Sequence, residues 1–332
     1  MKEFIRKAKG GESLSSKEAY SAMSALLDDA ADEQIYDFLV AMNSKEASID
    51  ELVGFVRGIK TKATTISPKV ATLVDTCGTG GDCKGTINVS TGSSIIVAST
   101  GIPVAKHGNY SVSSRSGSAN VLETLGYNLH LSPERCQKMI EDECFGFLLA
   151  PQFHPAMKRV ASVRKRIGRT LFNLLGPLCN PAPVLAQVIG VYDTRLCEPF
   201  CYALKELGLR RALVVHGSGL DELSTIGETN IYELNNGKIS SYRIVPEDLG
   251  FKRYKLDDIA GSSPEENAQH LRNVFNGEKG ARRDILVLNA AAGIYVGNGA
   301  ASLEEGIKRA EEALDKQAVS RKLSRIIEYS NK

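Results

Sequence analysis

The chain has 332 residues, 42% of them hydrophobic, and its 41 basic and 39 acidic residues give a formal net charge of +2 at pH 7. This length allows one large or two modest domains with a hydrophobic core, and the nearly balanced charge argues against a protein that coats nucleic acid. The seven cysteines include no C-x-x-C pair, and their odd number and scatter are typical of reduced intracellular thiols rather than of a disulfide framework. The N-terminus lacks the apolar core of a signal peptide and no apolar span of about 18 residues occurs, so we expect a soluble, cytoplasmic protein that does not enter membranes.

Residues 1–65 have helical patterns and no strand signal. Two S-x-x-E sequences, beginning at Ser15 and Ser48, have the form of capping boxes, in which the two side chains bond free N–H groups at the start of a helix. A third amphipathic segment lies between them at 35–42. These three short helices predict a small all-helical N-terminal domain, which can include later helical segments and whose simplest role is packing.

Residues 66–332 alternate between strand and helix patterns, as expected of an α/β domain with a large, mostly parallel β-sheet flanked by helices. Buried strands are predicted, in chain order, at 70–74, 102–105, 147–150, 186–192 and 211–216. Ligands collect at the carboxyl ends of parallel strands, so we expect the loops after 74, 105, 150 and 215 to converge. A hairpin with a tight turn, within 229–255, is expected to be peripheral.

Local signals also predict several helix boundaries. Ser118 is expected to cap a helix that ends at Gly126, and Ser132 precedes a proline that suits the first turn of another helix. From Ser263 to the end the pattern is helical again, with Ser302 expected to cap the last long helix.

Residues 75–91 form a glycine-rich segment between a predicted strand and a predicted helix, with the sequence D-T-C-G-T-G-G-D-C-K-G-T-I-N-V-S-T. Glycines let an anion approach backbone N–H groups, and short polar side chains at a helix N-terminus add donors where negative charge is favoured. The residues with these properties are Gly78, Gly80, Gly81, Asn88, Ser90 and Thr91. The segment predicts a phosphate site, although a glycine loop can also be a simple turn.

A second segment with the same layout follows at 106–118, with the sequence K-H-G-N-Y-S-V-S-S-R-S-G-S. Its side chains that can bind an anion are those of Lys106, His107, Asn109, Ser111, Ser113, Ser114, Arg115 and Ser118. Two such segments favour a pair of anion sites over two unrelated turns. Neither segment matches the G-x-x-x-x-G-K-[ST] or G-x-G-x-x-G nucleotide fingerprints.

Eight motifs occur in an order that resembles the anthranilate phosphoribosyltransferase family. They are D-T-C-G-T-G-G-D, N-V-S-T, K-H-G-N, S-V-S-S-R-S-G-S-A-N-V-L-E, H-P-A-M-K, V-R-K, F-N-L-L-G-P-L-C-N-P-A and H-G-S-G-L-D-E-L. The resemblance spans about residues 5–325. It implies an enzyme of tryptophan biosynthesis that transfers the phosphoribosyl group of 5-phosphoribosyl 1-diphosphate (PRPP) to the amine of anthranilate, with Mg²⁺ as cofactor and a homodimer formed through the helical region.

The resemblance also implies the residues of each site. The PRPP site would comprise Gly78, Gly81, Asp82, Thr86, Asn88, Val89, Ser90, Thr91, Lys106, His107, Gly108, Asn109, Ser113, Ser114 and Ser118. The anthranilate site would comprise Gly78, Asn109 and Arg164, and the metal site would comprise Ser90, Asp221 and Glu222. Lys106 and Arg164 would act by charge and positioning, without a covalent nucleophile.

Three of these assignments also have a chemical reason in the sequence. Asp221 and Glu222 follow a predicted strand and a G-S-G turn, where carboxylate oxygens suit Mg²⁺; the alternative is a solvated acidic loop. A guanidinium such as that of Arg164 can hold a carboxylate through two hydrogen bonds; the alternative is a solvated basic face, since Arg164 is one of six basic residues within 158–169.

Two further features leave the acceptor site open. His107 and His154 either line the path of the acceptor or have a structural role. The segment 167–170 is one residue shorter than the family pattern between V-R-K and F-N-L-L, so the geometry of the acceptor loop does not follow from the resemblance.

Three other functions remain as alternatives. A pyrimidine nucleoside phosphorylase has a related architecture but different lysine and serine phosphate motifs. A nucleic-acid-binding relative would need a basic surface, which a net charge of +2 does not indicate. A purely structural oligomer would not need the polar loops.

Overall fold

The computed structural model describes residues 1–111 and 116–332. Its N-terminal part contains four helices, α1 Lys2–Lys9, α2 Ser16–Asp28, α3 Asp32–Asn43 and α4 Ile49–Lys60. The sequence predicted only three, because α1 buries just Ile5 and Ala8 and so shows a weak apolar pattern. Both predicted capping boxes are present, at the starts of α2 and α4.

The second capping box also ties two helices together. Glu51 is fully buried in α4, and its carboxylate accepts hydrogen bonds from the backbone N of Ser48, the backbone N of Leu14 and the Nζ of Lys45. A buried carboxylate is stable only when such donors surround it. This residue therefore fixes the segment before α2 against the start of α4.

A seven-stranded sheet forms the centre of the remaining chain. Its strands are β1 Val74–Gly78, β2 Val104–Gly108, β3 Phe145–Leu149, β4 Ala186–Gly190, β5 Arg211–Gly217, β6 Thr229–Asn235 and β7 Lys238–Ile244. Their spatial order is β3-β2-β1-β4-β5-β6-β7, with the first five parallel and the last two antiparallel. The predicted mostly parallel sheet is confirmed, and the predicted hairpin is the edge pair β6–β7.

Eleven described helices accompany the sheet: α5 Val89–Ser99, α6 Ser118–Thr124, α7 Pro133–Glu143, α8 Ala150–Phe153, α9 Lys158–Ile167, α10 Leu171–Leu175, α11 Cys197–Glu206, α12 Pro264–Phe275, α13 Ala281–Val296, α14 Leu303–Asp315 and α15 Ala318–Asn331. None of the described helices is long and apolar enough to cross a membrane.

Two predicted helix boundaries were wrong. Gly117, not Ser118, is the N-cap of α6, and the side chain of Asn120 accepts a hydrogen bond from the N–H of Gly117. Ser302 does cap α14, but this is not the last helix because α15 follows.

The first two strands, β1 and β2, lie further along the chain than the apolar runs predicted. β1 starts at Val74 and includes Asp75, and β2 extends beyond its apolar start through Lys106 and His107. Hydrogen bonds hold these polar residues in the buried strands: Asp75 Oδ1 accepts a hydrogen bond from the backbone N of His107 at 3.2 Å, and Lys106 Nζ donates one to Thr76 O at 2.6 Å. Residues expected in loops therefore lie inside the sheet.

Two hydrophobic clusters cover the sheet. One contains apolar residues of α5, α13 and the C-terminal helices. The other joins the N-terminal helices to α9, α10 and α11 and to apolar residues of β4 and β5. The core of the N-terminal helices therefore continues into later segments, and the domain boundary at residue 65 stays a prediction.

Candidate active site

The acidic segment Asp221–Glu222 lies across the carboxyl ends of three neighbouring strands. Each of these strands ends in a glycine. A Cβ atom added to Gly78 would lie 2.3 Å from Asp221 Oδ2, one added to Gly190 would lie 1.5 Å from Asp221 O, and one added to Gly217 would lie 2.3 Å from Glu222 O. All three distances are too short for a side chain to be present. The missing side chains make room for two carboxylates at the edge of the sheet where the loops converge.

Both carboxylates bond the first glycine-rich segment. Asp221 Oδ2 accepts a hydrogen bond from the backbone N of Gly80 at 2.7 Å, and Glu222 Oε1 accepts one from the backbone N of Ser90 at 3.2 Å. The alternative of a solvated acidic loop is wrong, since both residues are half-buried and bonded to the protein. The structure brings all three predicted metal ligands, Ser90, Asp221 and Glu222, together.

Burial makes ionisation of the two carboxyl groups unfavourable. Burial raises the pKa of Asp221 to about 7, with a further contribution from the charge of Asp82. Burial, followed by the charge of Asp221, raises the pKa of Glu222 well above its usual value, and Lys106 opposes this rise. A cation beside these groups would relieve both the desolvation and the repulsion.

The arrangement fits a magnesium ion that shares its ligands with a phosphate. Among residues 1–111 and 116–332, no group of three His, Cys, Asp or Glu side chains is placed to hold a metal ion. Mg²⁺ usually binds one or two carboxylates together with waters and substrate phosphates, rather than a complete protein cage. Asp221 and Glu222 supply that incomplete set.

Lys106 lies beneath the first segment, on β2, and is buried. Its Nζ donates hydrogen bonds to Thr76 O at 2.6 Å and to Ser90 Oγ at 3.1 Å. Burial lowers the pKa of Lys106, and the negative charge of Asp75 opposes this shift. The ammonium is thus fixed next to the start of α5.

Asp75 is a buried residue of this site that the motif contained but the sequence did not assign. Its Oδ2 accepts a hydrogen bond from Gln187 Nε2 at 3.1 Å, and burial raises its pKa to about 6 against the opposing charge of Lys106. An acidic residue beside a buried apolar run was the signal that could have identified it.

The two segments are also joined by hydrogen bonds. Asn88, the N-cap residue of α5, donates through Nδ2 to Ser116 O at 3.2 Å. Its Oδ1 accepts hydrogen bonds from Ser116 Oγ at 3.2 Å and from Asn267 Nδ2 at 2.7 Å. Asn267 lies on α12, far along the chain, and no local sequence signal indicated it.

The remaining predicted PRPP residues lie along the same two segments. Thr86 forms an isolated bridge with Ala260, and the Oγ1 of Thr91 is buried without a hydrogen-bond partner in the described part of the chain. Gly81 and Asp82 follow β1. Val89 is the first residue of α5, and Ser118 is the first residue of α6. Gly108 is the last residue of β2, and Asn109 follows it. Ser113 and Ser114 lie outside the described residues. The assignment of these residues to PRPP stays a prediction.

The predicted acceptor residues lie on β2, α9 and their neighbourhood. The rings of His107 and His154 pack edge to face with centroids 5.1 Å apart, and burial lowers the pKa of His107 to about 3 and that of His154 to about 4. Both imidazoles are therefore neutral at pH 7.

Arg164, on α9, is half-buried, and its guanidinium carbon lies 5.0 Å from the centroid of the Phe172 ring. Its Nε has no hydrogen-bond partner among the described residues, and burial alone lowers its pKa. A desolvated guanidinium with a free donor is a ready site for a carboxylate. The alternative of a solvated basic face does not fit Arg164.

Known proteins resemble this chain over almost its whole length. Residues 70–318 match the family model described as glycosyl transferase family, a/b domain, and residues 2–63 match the glycosyl transferase family, helical bundle domain. An anthranilate phosphoribosyltransferase from Methanosarcina acetivorans is 50% identical over 332 residues, which cover 99% of this chain and 90% of that protein.

Two solved structures have the same fold. The anthranilate phosphoribosyltransferase of Thermus thermophilus aligns with a TM-score of 0.94 and 41% identity, covering 99% of both chains. That of Saccharomyces cerevisiae, solved in complex with PRPP and Mg, aligns with a TM-score of 0.87 and 28% identity, covering 99% of this chain and 97% of the other.

Proposed function

The chain belongs to the anthranilate phosphoribosyltransferase family, and we infer from this that it transfers the phosphoribosyl group of PRPP to the amine of anthranilate. The products are N-(5-phosphoribosyl)anthranilate and diphosphate, in the biosynthesis of tryptophan. The observation that carries the proposal is the meeting of two donor-rich segments, a buried lysine and a carboxylate pair at one edge of the sheet.

The donor site would lie between the two glycine- and serine-rich segments. Backbone N–H groups of the first segment and the side chains of the second would hold the phosphates, as helix starts and glycine loops commonly do. Asp221 and Glu222, with Ser90, would hold Mg²⁺ against the diphosphate. When bound, this ion would neutralise part of the charge on the leaving group.

Lys106 would supply the protein's own positive charge to the reaction. Departure of diphosphate from the anomeric carbon builds negative charge on the leaving group, which a fixed ammonium in a desolvated site stabilises strongly. Because the Nζ of Lys106 is fixed by Thr76 and Ser90, it needs little reorganisation during the reaction. This explains catalysis without a covalent nucleophile.

Arg164 would hold the carboxylate of anthranilate and so orient its amine. Positioning converts an encounter between two molecules into a reaction within one complex. The amine would attack the anomeric carbon as diphosphate leaves, and the aromatic ammonium that forms is acidic enough to lose its proton without a strong base. The neutral imidazoles of His107 and His154 would border the acceptor.

Three further assignments accompany this function. We propose that residues 1–65 and 66–332 form separate domains, that the protein is a cytoplasmic homodimer and that the helical region makes the dimer contact. The seven cysteines are all unpaired. Tyr36 and Val40, which lie on one face of α3, expose 38% and 42% of their surface and support an interface there.

The function is tested by mixing the purified protein with PRPP, Mg²⁺ and anthranilate and following the loss of anthranilate fluorescence. Turnover that requires all three components supports the proposal. A folded protein with no turnover would contradict it, and phosphorolysis of thymidine or uridine in a parallel assay would favour the nucleoside phosphorylase alternative instead.

A further inference from the structure

Arg169 lies in the short segment between α9 and α10, and its guanidinium lies between the ring of Tyr192 and Gly81. On one side the guanidinium carbon lies 3.9 Å from the centroid of the Tyr192 ring. On the other side a Cβ built on Gly81 would lie 2.5 Å from Nη1, 2.7 Å from Nη2 and 2.8 Å from Cζ of Arg169. The guanidinium therefore occupies the space that a side chain on Gly81 would need.

This contact gives Gly81 a second reason to be glycine. Its φ of +82° already favours glycine, and the space that a side chain would fill is taken by the cation. A side chain at this position would push Arg169 off the ring of Tyr192. The first glycine-rich segment is therefore shaped around a guanidinium from another part of the chain.

The neighbouring residues of the segment are fixed by the same surroundings. The backbone N of Tyr192 donates a hydrogen bond to Thr79 Oγ1 at 3.1 Å, and the backbone N of Gly80 donates to Asp221 at 2.7 Å. The backbone O of Arg169 in turn accepts a hydrogen bond from Asn43 Nδ2, at the end of α3, at 2.9 Å. Tyr192 thus holds Thr79, Asp221 holds Gly80 and Arg169 packs against Gly81.

The charge of Arg169 is not used elsewhere in the described part of the chain. Its guanidinium forms no ion pair with a carboxylate among residues 1–111 and 116–332, and it packs against the ring of Tyr192 and against Gly81. Arginine suits such a place because its planar group stacks on an aromatic ring while it remains charged.

We propose that Arg169 is a positioning residue for the phosphoribosyl donor, acting by holding the segment Thr79–Asp82 in its binding conformation. The proposal rests on the function proposed above. Without the guanidinium the segment would be free to move away from Tyr192, and PRPP would have to order it on binding, which weakens affinity. The acceptor carboxylate, held by Arg164, would be bound as before.

The test is calorimetric titration of PRPP into the protein at fixed Mg²⁺, together with steady-state kinetics. For Arg169→Ala we expect the Kd of PRPP to rise about tenfold or more, while the KM of anthranilate stays within about twofold and the melting temperature is unchanged. Arg169→Lys should not restore PRPP affinity, because an ammonium cannot lie flat between a ring and a glycine. Tyr192→Ala should weaken PRPP binding similarly, and the double variant should be no worse than either single one.

The matched control is Arg135→Ala, which removes another arginine stacked on a tyrosine, 4.9 Å above the ring of Tyr329, and should leave PRPP affinity unchanged. Unaltered PRPP affinity in Arg169→Ala, full recovery with lysine, or equal loss in the control would each overturn the role of Arg169. Wild-type protein that binds PRPP but does not consume anthranilate would instead contradict the proposed function and leave the binding test valid.

Discussion

Asp221 and Glu222 show most directly how single residues set the chemistry of the site. Each accepts a backbone hydrogen bond from the segment that follows β1, and each has a pKa raised mainly by burial. Two carboxylates that repel each other in a desolvated place are unfavourable for folding and favourable for binding a cation. Their contribution therefore belongs to function rather than to stability.

Neutralising the pair tests this view. In the variant Asp221→Asn with Glu222→Gln, kcat/KM should fall about 100-fold or more, because the leaving group loses the metal. The melting temperature should stay within a few degrees or rise, since the amides still accept the two N–H groups and no longer repel each other. Added Mg²⁺ should recover little activity. Unchanged activity with the same magnesium dependence as wild type would remove both residues from the site.

Arg164 allows a test of the acceptor side alone. For Arg164→Ala we expect the KM of anthranilate to rise about 10- to 100-fold, which corresponds to ~1.5–3 kcal/mol for a hydrogen bond to a charged group. The KM of PRPP should hardly change. Steady-state kinetics with each substrate varied in turn gives both values, and equal weakening of the two substrates would assign Arg164 to the fold or to the donor site.

Asp75 predicts a pH dependence of stability. Burial raises its pKa from 3.8 to about 6, so the folded protein binds more protons than the unfolded chain between these values. The free energy of unfolding should therefore fall as the pH rises from about 4 to about 6, by about 3 kcal/mol from this one group. In Asp75→Asn this part of the slope should be missing.

Chemical denaturation of wild type and of Asp75→Asn at a series of pH values measures the difference. The asparagine also loses a good partner for Gln187, so a constant loss of stability is expected at every pH. Only the difference between the two proteins in the slope of unfolding free energy against pH reports the ionisation of Asp75. Identical slopes in the two proteins would show that Asp75 does not change protonation in this range.

At the scale of elements, the site depends on strands that end in glycine. The paired ends of β1 and β4, Gly78 and Gly190, are in register, and the acidic segment lies against both. The sheet thus positions the two carboxylates through close backbone packing. Their side chains add only the hydrogen bonds to the backbone N of Gly80 and of Ser90.

Gly190 provides the sharpest test of this packing. A methyl group at this position would lie 1.5 Å from Asp221 O, so Gly190→Ala must displace the acidic segment. We expect a loss of stability of about 1–3 kcal/mol or more and a large loss of Mg²⁺-dependent PRPP binding. Gly10→Ala, whose nearest neighbour atom would be 3.4 Å away, should change neither. Normal PRPP binding by a folded Gly190→Ala protein would contradict the packing argument.

At the scale of the whole molecule, the N-terminal helices pack on later ones and still expose apolar side chains. Tyr36 and Val40 are four residues apart on α3 and so share a face. A contiguous exposed apolar surface often marks a protein contact. This supports the proposed homodimer through the helical region.

The variant Val40→Asp tests the dimer. A carboxylate buried at an apolar contact is strongly unfavourable, so the variant should shift from dimer to monomer in size-exclusion chromatography with light scattering. Tyr202→Asp, which changes an equally exposed aromatic residue on α11, should remain dimeric. A monomeric wild-type protein, or a dimer that tolerates Val40→Asp, would place the contact elsewhere or remove it.

The sequence by itself determined the class of fold, the family and the positions of the two segments that we predict to bind phosphate. Alternating apolar strands and helices required a layered sheet, capping serines marked helix starts such as α2 and α4, and glycines next to short polar residues indicated anion sites. These features are local, because each depends on residues a few positions apart whose preferences do not need the rest of the molecule.

The tertiary structure alone decided which distant residues complete the site. The sequence placed Asp75, Lys106 and His107 in loops. The structure places them in strands, where Asp75 bonds the backbone of His107 and Lys106 bonds Thr76 and Ser90. Asn267 reaches Asn88, and Arg169 reaches Gly81, only because crossovers bring α12 and the α9–α10 connection to the same edge. Such contacts join residues whose separation along the chain carries no periodic signal, so their partners are fixed by packing and not by local sequence.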